Sequence, residues 1–264
     1  EPLGRLEAQL TAGTLTGLAR IVDRMAPDTQ FARWFNQAAP SLAPTTIGFV
    51  VDSVMDGGVP NSRLDVRGAA GATKFDATIE LTGAPGEWRE AGLRFTGSLS
   101  SYDAVGVARQ IGIEPTEVSV GGARISLSAN GVPKDGLAAT LRGSFGGLAI
   151  ENAGTLILAA GLPPTYEGAF KLDSDDLGPL IQMVGLDIPG TGLGTPLHLD
   201  GTVSGLGTTA EVAWTNGAVA GHAVSGSLRL SDAIDGGGGD DTVEGGDGLD
   251  YLHGGDGNDV IDGG

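Results

Sequence analysis

RISLSA, at Arg124–Ala129, and LHLDGTV, at Leu197–Val203, each place an apolar residue or glycine at every second position and a small or polar residue between. Such alternation is typical of a β-strand with one apolar face and one hydrated face. The sequence therefore predicts a mainly β protein up to about residue 231. The predicted strands are Ile47–Val54, Lys74–Leu81, Leu93–Leu99, Ala123–Ala129, Leu137–Gly143, Ala169–Leu172, Leu197–Val203 and Gly226–Leu230.

A few short helices interrupt these strands. They are predicted at Leu15–Met25, Thr29–Ala38, Tyr102–Ile111 and Asp176–Val184. The last two share one pattern at an offset of 73 residues, in which a strand is followed by a Ser/Asp cap, an amphipathic helix and a terminating glycine. The sequence therefore indicates repeat units near 99–171 and 172–231, and LTAGTLTGLARIV from Leu10 resembles a third copy. The aligned pairs include Leu99 with Leu172, Ser101 with Ser174, Asp103 with Asp176, Val107 with Leu180, and Gly112 with Gly185.

The second unit carries a family pattern. DDLGPLIQMVGLDIPG, GTPLHLDGTVSG and AEVAWTNGAVAGHAVSGSLRL resemble the C-terminal part of AsmA-like cell-envelope proteins, and a looser resemblance extends over about residues 95–230. The resemblance implies a long, curved antiparallel sheet whose concave apolar groove holds lipids or moves them between bacterial membranes. The alternative is an ordinary glycine-rich β-sandwich or solenoid without a ligand.

Composition excludes several classes of protein and site. The chain contains no cysteine, which excludes disulfides and thiolate zinc sites. The net charge of -18 argues against a nucleic-acid partner, because phosphate binding needs clustered Lys and Arg. Ten acidic residues and no basic one fall within 232–264, so the charge changes abruptly near residue 231. We therefore expect two domains, 1–231 and 232–264.

The tail repeats a nine-residue pattern. GGGGDDTVE begins at Gly236, GGDGLDYLH at Gly245 and GGDGNDVID at Gly254, and SDAID at residues 231–235 retains the last part of the same pattern. These repeats resemble the calcium-binding nonapeptide G-G-x-G-x-D-x-U-x of RTX (hemolysin-type) proteins, where U is a large apolar residue. The resemblance implies a short parallel β-roll in which the last three residues of each repeat form a strand. Ile234, Val243, Leu252 and Ile261 then point inward.

The RTX resemblance also implies the calcium ligands. Sixth-position carboxylates map to Asp241, Asp250 and Asp259, and Asp232 is the imperfect fourth. Because two nonapeptides make one coil, Asp241 is expected to share an ion with Asp259, and Asp250 with Asp232. Turn carbonyls at the first and third positions map to Gly236, Gly238, Gly245, Asp247, Gly254 and Asp256.

The tail is expected to need calcium in order to fold. Without the ion, its carboxylates repel one another and its apolar residues are few, so we expect a disordered apo form. Extracellular calcium modules bind at about 0.1 to 1 mM, which favours a site outside the cytoplasm, in the periplasm or extracellular space. The alternative is a flexible Gly/Asp linker, which would not need strict nine-residue spacing.

No catalytic constellation is evident. The chain has no nucleophile elbow, no H-E-x-x-H and no P-loop, and its three histidines stand apart, with His198 expected on the sheet surface. Trp34, Trp88 and Trp214 could line a groove or pack in a core. Asp175 and Asp176 are expected to cap a helix. We find no catalytic and no organic-cofactor residues and predict a non-enzymatic protein.

The remaining expectations concern binding partners, membrane attachment and the protein to which this chain belongs. Apart from calcium, the expected partners are phospholipid or a membrane surface, and nothing in the sequence indicates an oligomeric state. No apolar run reaches the length of a spanning helix, and the chain starts at Glu1 without a signal-like segment, so we expect a piece of a longer protein. The rival interpretations are a secreted adhesin-like passenger with a β spacer and an RTX export tail, and an enzyme whose catalytic part lies upstream.

Overall fold

The computed structural model describes residues 4–25, 30–113, 115–116, 120–185, 194–206, 209–235, 242–244, 249–253, 257–258 and 260–262. The strands are β1 Gly4–Ala12, β2 Thr45–Asp56, β3 Val59–Ala70, β4 Thr73–Thr82, β5 Gly92–Ser101, β6 Ala123–Val132, β7 Gly136–Phe145, β8 Leu148–Ile157, β9 Thr165–Ser174, β10 Leu197–Leu206, β11 Thr209–Val219, β12 His222–Asp235, β13 Thr242–Glu244, β14 Leu249–His253 and β15 Val260–Asp262. The α-helices are α1 Thr16–Met25, α2 Gln30–Leu42, α3 Ala104–Gln110 and α4 Gly178–Met183.

The first twelve strands form one open antiparallel sheet. Each strand pairs with the next one along the chain, so the order in space is the order in sequence. The mainly β prediction is confirmed, together with the antiparallel sheet and the few short helices. All eight predicted strands lie within strands of the sheet, whereas β1, β3, β8 and β11 were not predicted.

The sheet repeats a unit of four strands. A connection with an α-helix follows β1, β5 and β9, and the two or three connections after it within each unit contain no α-helix. Successive antiparallel registers place all these helices at the same end of the strands, which we call the helix end. The third copy starting near Leu10 therefore has a structural counterpart, because Leu10 lies near the end of β1 as Leu99 does in β5.

The two clear copies use the same capping contacts. Ser101 Oγ accepts a hydrogen bond from the Asp103 amide at 3.1 Å, and Ser174 Oγ accepts one from the Asp176 amide at 3.2 Å. Each Asp carboxylate then accepts an amide hydrogen bond of 2.9 Å from the start of its helix. The glycine after each helix has a positive φ, +87° and +75°, as a C-terminal stop requires. Asp103 is the N-cap of α3, whereas Asp176 precedes the N-cap residue of α4, Leu177, and accepts its hydrogen bond from Gly178.

The buried core lies at the helix end. Ala104, Val107 and Ala108 of α3 are buried together with Met183 of α4 and Val120. A second cluster joins Leu15 and Ala19 at α1 to Phe35 and Ala39 of α2. The helices thus bury the end of the sheet and one another.

Gln110 links this helical layer to the strands. Its side-chain amide accepts from Thr73 Oγ1 at 2.8 Å and donates to the Ala70 carbonyl at 2.9 Å. The Trp34 indole donates to the Gln110 backbone carbonyl at 3.0 Å. Trp34 therefore has a packing role.

Candidate functional site

One face of the twelve-stranded sheet is apolar across its whole width. Cross-strand partners form rows that contain one residue from every strand, and we call the side that carries the following three rows the apolar face. The row nearest the helix end is Leu10, Ile47, Gly68, Phe75, Leu99, Ile125, Gly143, Ile150, Leu172, Leu199, Gly217 and Val224. The middle row is Ala8, Phe49, Val66, Ala77, Gly97, Leu127, Leu141, Asn152, Phe170, Gly201, Trp214 and Gly226. The far row is Leu6, Val51, Leu64, Ile79, Phe95, Ala129, Ala139, Gly154, Gly168, Val203, Val212 and Leu228.

The opposite face of the sheet is polar, and its residues also form rows of cross-strand partners. One of its rows reads Gln9, Gly48, Arg67, Asp76, Ser98, Ser126, Arg142, Glu151, Lys171, Asp200 and Asn216. Side chains of opposite charge pair along this face, as in Arg63 with Glu80 at 2.8 Å. Hydrogen bonds from Arg63 and Thr78 lower the pKa of Asp65 to about 2. This face is therefore a hydrated ion-pair surface.

Aromatic rings on the apolar face lie against glycines. A Cβ added at Gly97 would lie 2.9 Å from Cζ of Phe95, and one at Gly226 would lie 3.0 Å from the ring of Trp214. Each ring occupies the space that a side chain at the glycine would fill. Of the three tryptophans, Trp214 lies on the apolar face, whereas Trp88 stacks against the Arg89 guanidinium at 4.4 Å.

The apolar face has no second layer among the described residues. The described helices occupy the helix end and pack on one another, and Leu127 in the middle of the sheet stays 41% exposed. Apolar side chains left in contact with water are unfavourable, and an extended apolar surface marks a binding or interaction site. The face is therefore a candidate binding site.

One polar pair interrupts the apolar face. Asn152 is the only residue in the three rows with an amide, hydroxyl or charged side chain, and Tyr166 of the next row donates a hydrogen bond from its hydroxyl to Asn152 Oδ1. Asn152 Nδ2 donates to the Ala169 carbonyl at 3.1 Å. Burial raises the pKa of the Tyr166 phenol, so the group stays neutral over the physiological range. Sequence reasoning missed both residues, because β8 was not predicted and the predicted strand Ala169–Leu172 begins after Tyr166.

His198 lies on the polar face, as expected. Its Nδ1 is 2.6 Å from Asp173 Oδ1 and its Nε2 is 3.2 Å from Asp200 Oδ2. The hydrogen bond with Asp173 is the main reason why the pKa of His198 is raised. Within the described ranges, no group of three His, Asp or Glu side chains is arranged as a metal site.

The tail strands follow the nine-residue pattern. Each of β13, β14 and β15 ends at the ninth position of its repeat. β14 pairs in parallel with the end of β12, with Ile234 opposite Leu252, and β15 pairs in parallel with β13, with Val243 opposite Ile261. In both pairs the two partners are 18 positions apart in the sequence, which is the length of two repeats. Ile261, which is predicted to point inward, is 50% exposed at this last described turn.

The predicted calcium ligands fall mainly outside the described residues. Asp232 lies in β12 and Asp250 in β14, each one residue before the paired Ala233 and Tyr251. The predicted boundary at 231–232 lies inside β12, which runs without interruption from the sheet into the tail. The ligands outside the described residues are Gly236, Gly238, Asp241, Gly245, Asp247, Gly254, Asp256 and Asp259.

Comparison with protein families decides the nature of this tail. A model of the RTX calcium-binding nonapeptide repeat, four copies long, matches residues 234–264. Residues 234–264 are RTX calcium-binding nonapeptide repeats. RTX nonapeptide repeats bind Ca2+ and are typical of secreted or extracellular proteins. The donor set fits such an ion, because the RTX repeats offer carboxylate and carbonyl oxygens, the ligands that calcium prefers.

The match is confined to the RTX repeats. No curated protein and no solved structure matches the chain. The resemblance of residues 95–230 to AsmA-like proteins receives no support from these comparisons. Among the described helices, none has both the length and the apolar character needed to cross a membrane.

Proposed function

We propose that this chain is a non-enzymatic calcium-binding protein of the bacterial envelope or the extracellular space, and that its apolar face holds lipid acyl chains. The observation that carries the lipid proposal is the continuity of the three apolar rows across twelve strands. Holding or transporting lipid is also what the AsmA-like resemblance implies.

The physical argument starts from the exposed apolar area. A sheet with one apolar face normally buries that face against a second layer. Here the described helices bury only the helix end, so the rest of the face remains available. Hydrocarbon chains would remove it from water without requiring hydrogen bonds from the three rows, whose side chains are almost all apolar.

For the tail, we propose a short calcium-folded β-roll. Parallel pairing two repeats apart supports it, since that spacing would bring Asp241 beside Asp259 and Asp250 beside Asp232. Carbonyls at Gly236, Gly238, Gly245, Asp247, Gly254 and Asp256 would complete the ligand sets. In this arrangement the last sheet strand, β12, carries the first turn of the roll.

A charge placed on the apolar face tests the lipid proposal. We expect purified full-length chain with saturating calcium to release phospholipid that mass spectrometry detects after solvent extraction. Leu127→Arg puts a guanidinium in the middle row and should reduce bound lipid several-fold. Ser126→Arg makes a comparable change on the polar face and should leave the amount of lipid unchanged.

Either of two results would refute the lipid proposal. Extracts without lipid above the level of an unrelated protein purified in parallel would refute the proposal, as would equal lipid in Leu127→Arg and the parent. Circular dichroism of both variants must match the parent, so that lost lipid is not lost fold.

The adhesin-like interpretation treats the sheet as a spacer. Seven consecutive strands, β4 to β10, each contain ten residues, a regularity that a spacer would also need. A lipid-free spacer would have to cover its apolar face with a second copy. Sedimentation would then show a dimer that Leu127→Arg dissociates.

A further inference from the structure

We propose that Asn152 and Tyr166 form a hydrogen-bonding site for an uncharged polar group, a hydroxyl or a carbonyl, within the lipid held on the apolar face. This inference rests on the proposed lipid function and adds a chemical class to it. The ligand would be an acyl compound that carries such a group along its chain or at an ester linkage.

A pair of glycines positions the phenol. Gly154 and Gly168 are cross-strand partners, and a Cβ added at Gly154 would lie 2.6 Å from the Tyr166 hydroxyl. The ring therefore crosses space that only glycines leave open. It carries a hydroxyl from the strand end toward the middle row, where Asn152 receives it.

The pair retains hydrogen-bonding capacity. Among the described residues the Tyr166 hydroxyl makes one hydrogen bond, as a donor to Asn152, so its acceptor lone pairs remain. The Asn152 amide nitrogen uses one N–H on the Ala169 carbonyl, which leaves the second N–H. Both side chains are half-buried, so a molecule lying on the apolar face can reach them.

The surroundings favour an uncharged group. The apolar-face neighbours of the pair are Leu141, Ile150, Leu156 and Phe170, together with glycines. None of them bears a charge that could pair with a carboxylate or an ammonium group, and an unpaired ion is costly to desolvate. Burial raises the pKa of Tyr166, which keeps the phenol neutral as well.

A lipid bound over the apolar face would make the Asn152–Tyr166 pair select between substituted and plain acyl chains. Water can satisfy the free donor and acceptors when the face is empty. A plain hydrocarbon chain would exclude that water and leave these groups without partners, which is unfavourable. A hydroxyl or carbonyl at this point restores the hydrogen bonds, so a substituted chain should bind more tightly than a plain one.

Three fatty acids of equal length separate these cases. The probes are stearate, a stearate with a mid-chain hydroxyl and one with a mid-chain keto group. Each displaces a fluorescent fatty acid from the full chain with saturating calcium. We expect at least one substituted acid to displace the probe about fivefold more tightly than stearate, the ratio that one net hydrogen bond supplies.

Two variants and a control complete the test. Tyr166→Phe and Asn152→Leu should abolish the preference while stearate binds as well as before or better. Asn130→Leu makes the same Asn-to-Leu change at an exposed position of β6 on the polar face and should keep the preference.

Each outcome decides one proposal. If stearate and the fluorescent fatty acid do not bind, the lipid function and this inference both fail. If stearate binds but all three acids displace equally, or if the preference survives in Tyr166→Phe and Asn152→Leu, the lipid function stands and this inference is overturned.

Discussion

The sheet and the RTX tail of this chain specify their structures by different means. The sheet carries three apolar rows, charges of both signs and a buried helical end. The tail, residues 232–264, has ten carboxylates, no Lys or Arg, and few large apolar residues apart from the one at the eighth position of each repeat. A hydrophobic pattern encodes the first region, whereas the second encodes calcium-binding repeats that we expect to fold together with their ion.

The tail has little apolar burial with which to stabilise a fold of its own. Its expected inward positions are Ile234, Val243, Leu252 and Ile261, and Ile261 is half exposed. We therefore expect calcium binding to stabilise the folded tail, because the ligands come together only when the repeats fold.

The largest predicted effect is a loss of calcium affinity in the tail with no change in the stability of the sheet. The double variant Asp241→Asn and Asp259→Asn should lower calcium affinity on the order of tenfold or more, because two carboxylate ligands of one expected site are lost. Isothermal titration calorimetry measures the affinity. The double variant Asp240→Asn and Asp262→Asn has the same charge change at non-ligand positions and should bind calcium nearly as the parent does.

One result would contradict this prediction. Equal affinity losses in the two double variants would mean that overall charge, and not the sixth-position carboxylates, controls calcium binding. Urea unfolding of the sheet should be the same in all three proteins.

The second prediction is a loss of sheet stability with no change in calcium binding by the tail. Gly143→Ala would place a Cβ against the Arg124 carbonyl and 2.8 Å from the Ile125 Cα, both of them backbone. We expect a loss of about 1 to 3 kcal/mol in the free energy of unfolding, the usual cost of overpacking. Urea denaturation monitored by circular dichroism measures this loss.

The matched variant is Gly97→Ala. Its Cβ meets mainly the Phe95 ring, which can move, so its loss should be smaller. A larger loss for Gly97→Ala than for Gly143→Ala would contradict the described register. Neither variant should change calcium affinity.

The same glycines explain what sequence reasoning missed. β8 has Asn152 and Gly154 on its apolar face where a pattern search expects large side chains, and β3 has Ser62 and Gly68. In β11 a bulge between Trp214 and Gly217 breaks the period of two. Rings supplied by other positions fill several glycine sites, and no local window of sequence contains that information.

Features encoded locally were predicted well. The Ser/Asp caps and terminating glycines depend on hydrogen bonds between residues a few positions apart, so two aligned copies were enough to recognise them. The nine-residue spacing identified the RTX repeats for the same reason. The polar pair of Asn152 and Tyr166 is separated by 14 residues and depends on cross-strand register, so it became visible only in the fold.

The smallest predicted effect concerns pH. The raised pKa of His198 means that its contribution to sheet stability is fully present below the pKa of an unfolded histidine, about 6.5. That contribution is lost as the pH rises through the higher folded-state pKa. Acidification has the opposite consequence for the tail, because protonated carboxylates bind calcium less well.

Proton NMR of the His198 ring provides the measurement. Asp173→Asn removes the hydrogen-bond partner that contributes most and should move the pKa of His198 toward its ordinary value. Asp175→Asn, a nearby change at a carboxylate that does not act on the His198 ring, should leave it in place. An unchanged titration in Asp173→Asn would contradict the geometry at Asp173.

Hydrogen–deuterium exchange of the full chain from chelator to millimolar calcium compares the two regions most directly. The account predicts that peptides covering residues 236–262 exchange freely without calcium and become protected when the ion is added, while peptides from β5 to β9 stay equally protected throughout. Tail peptides that exchange at one rate in chelator and in calcium would contradict it.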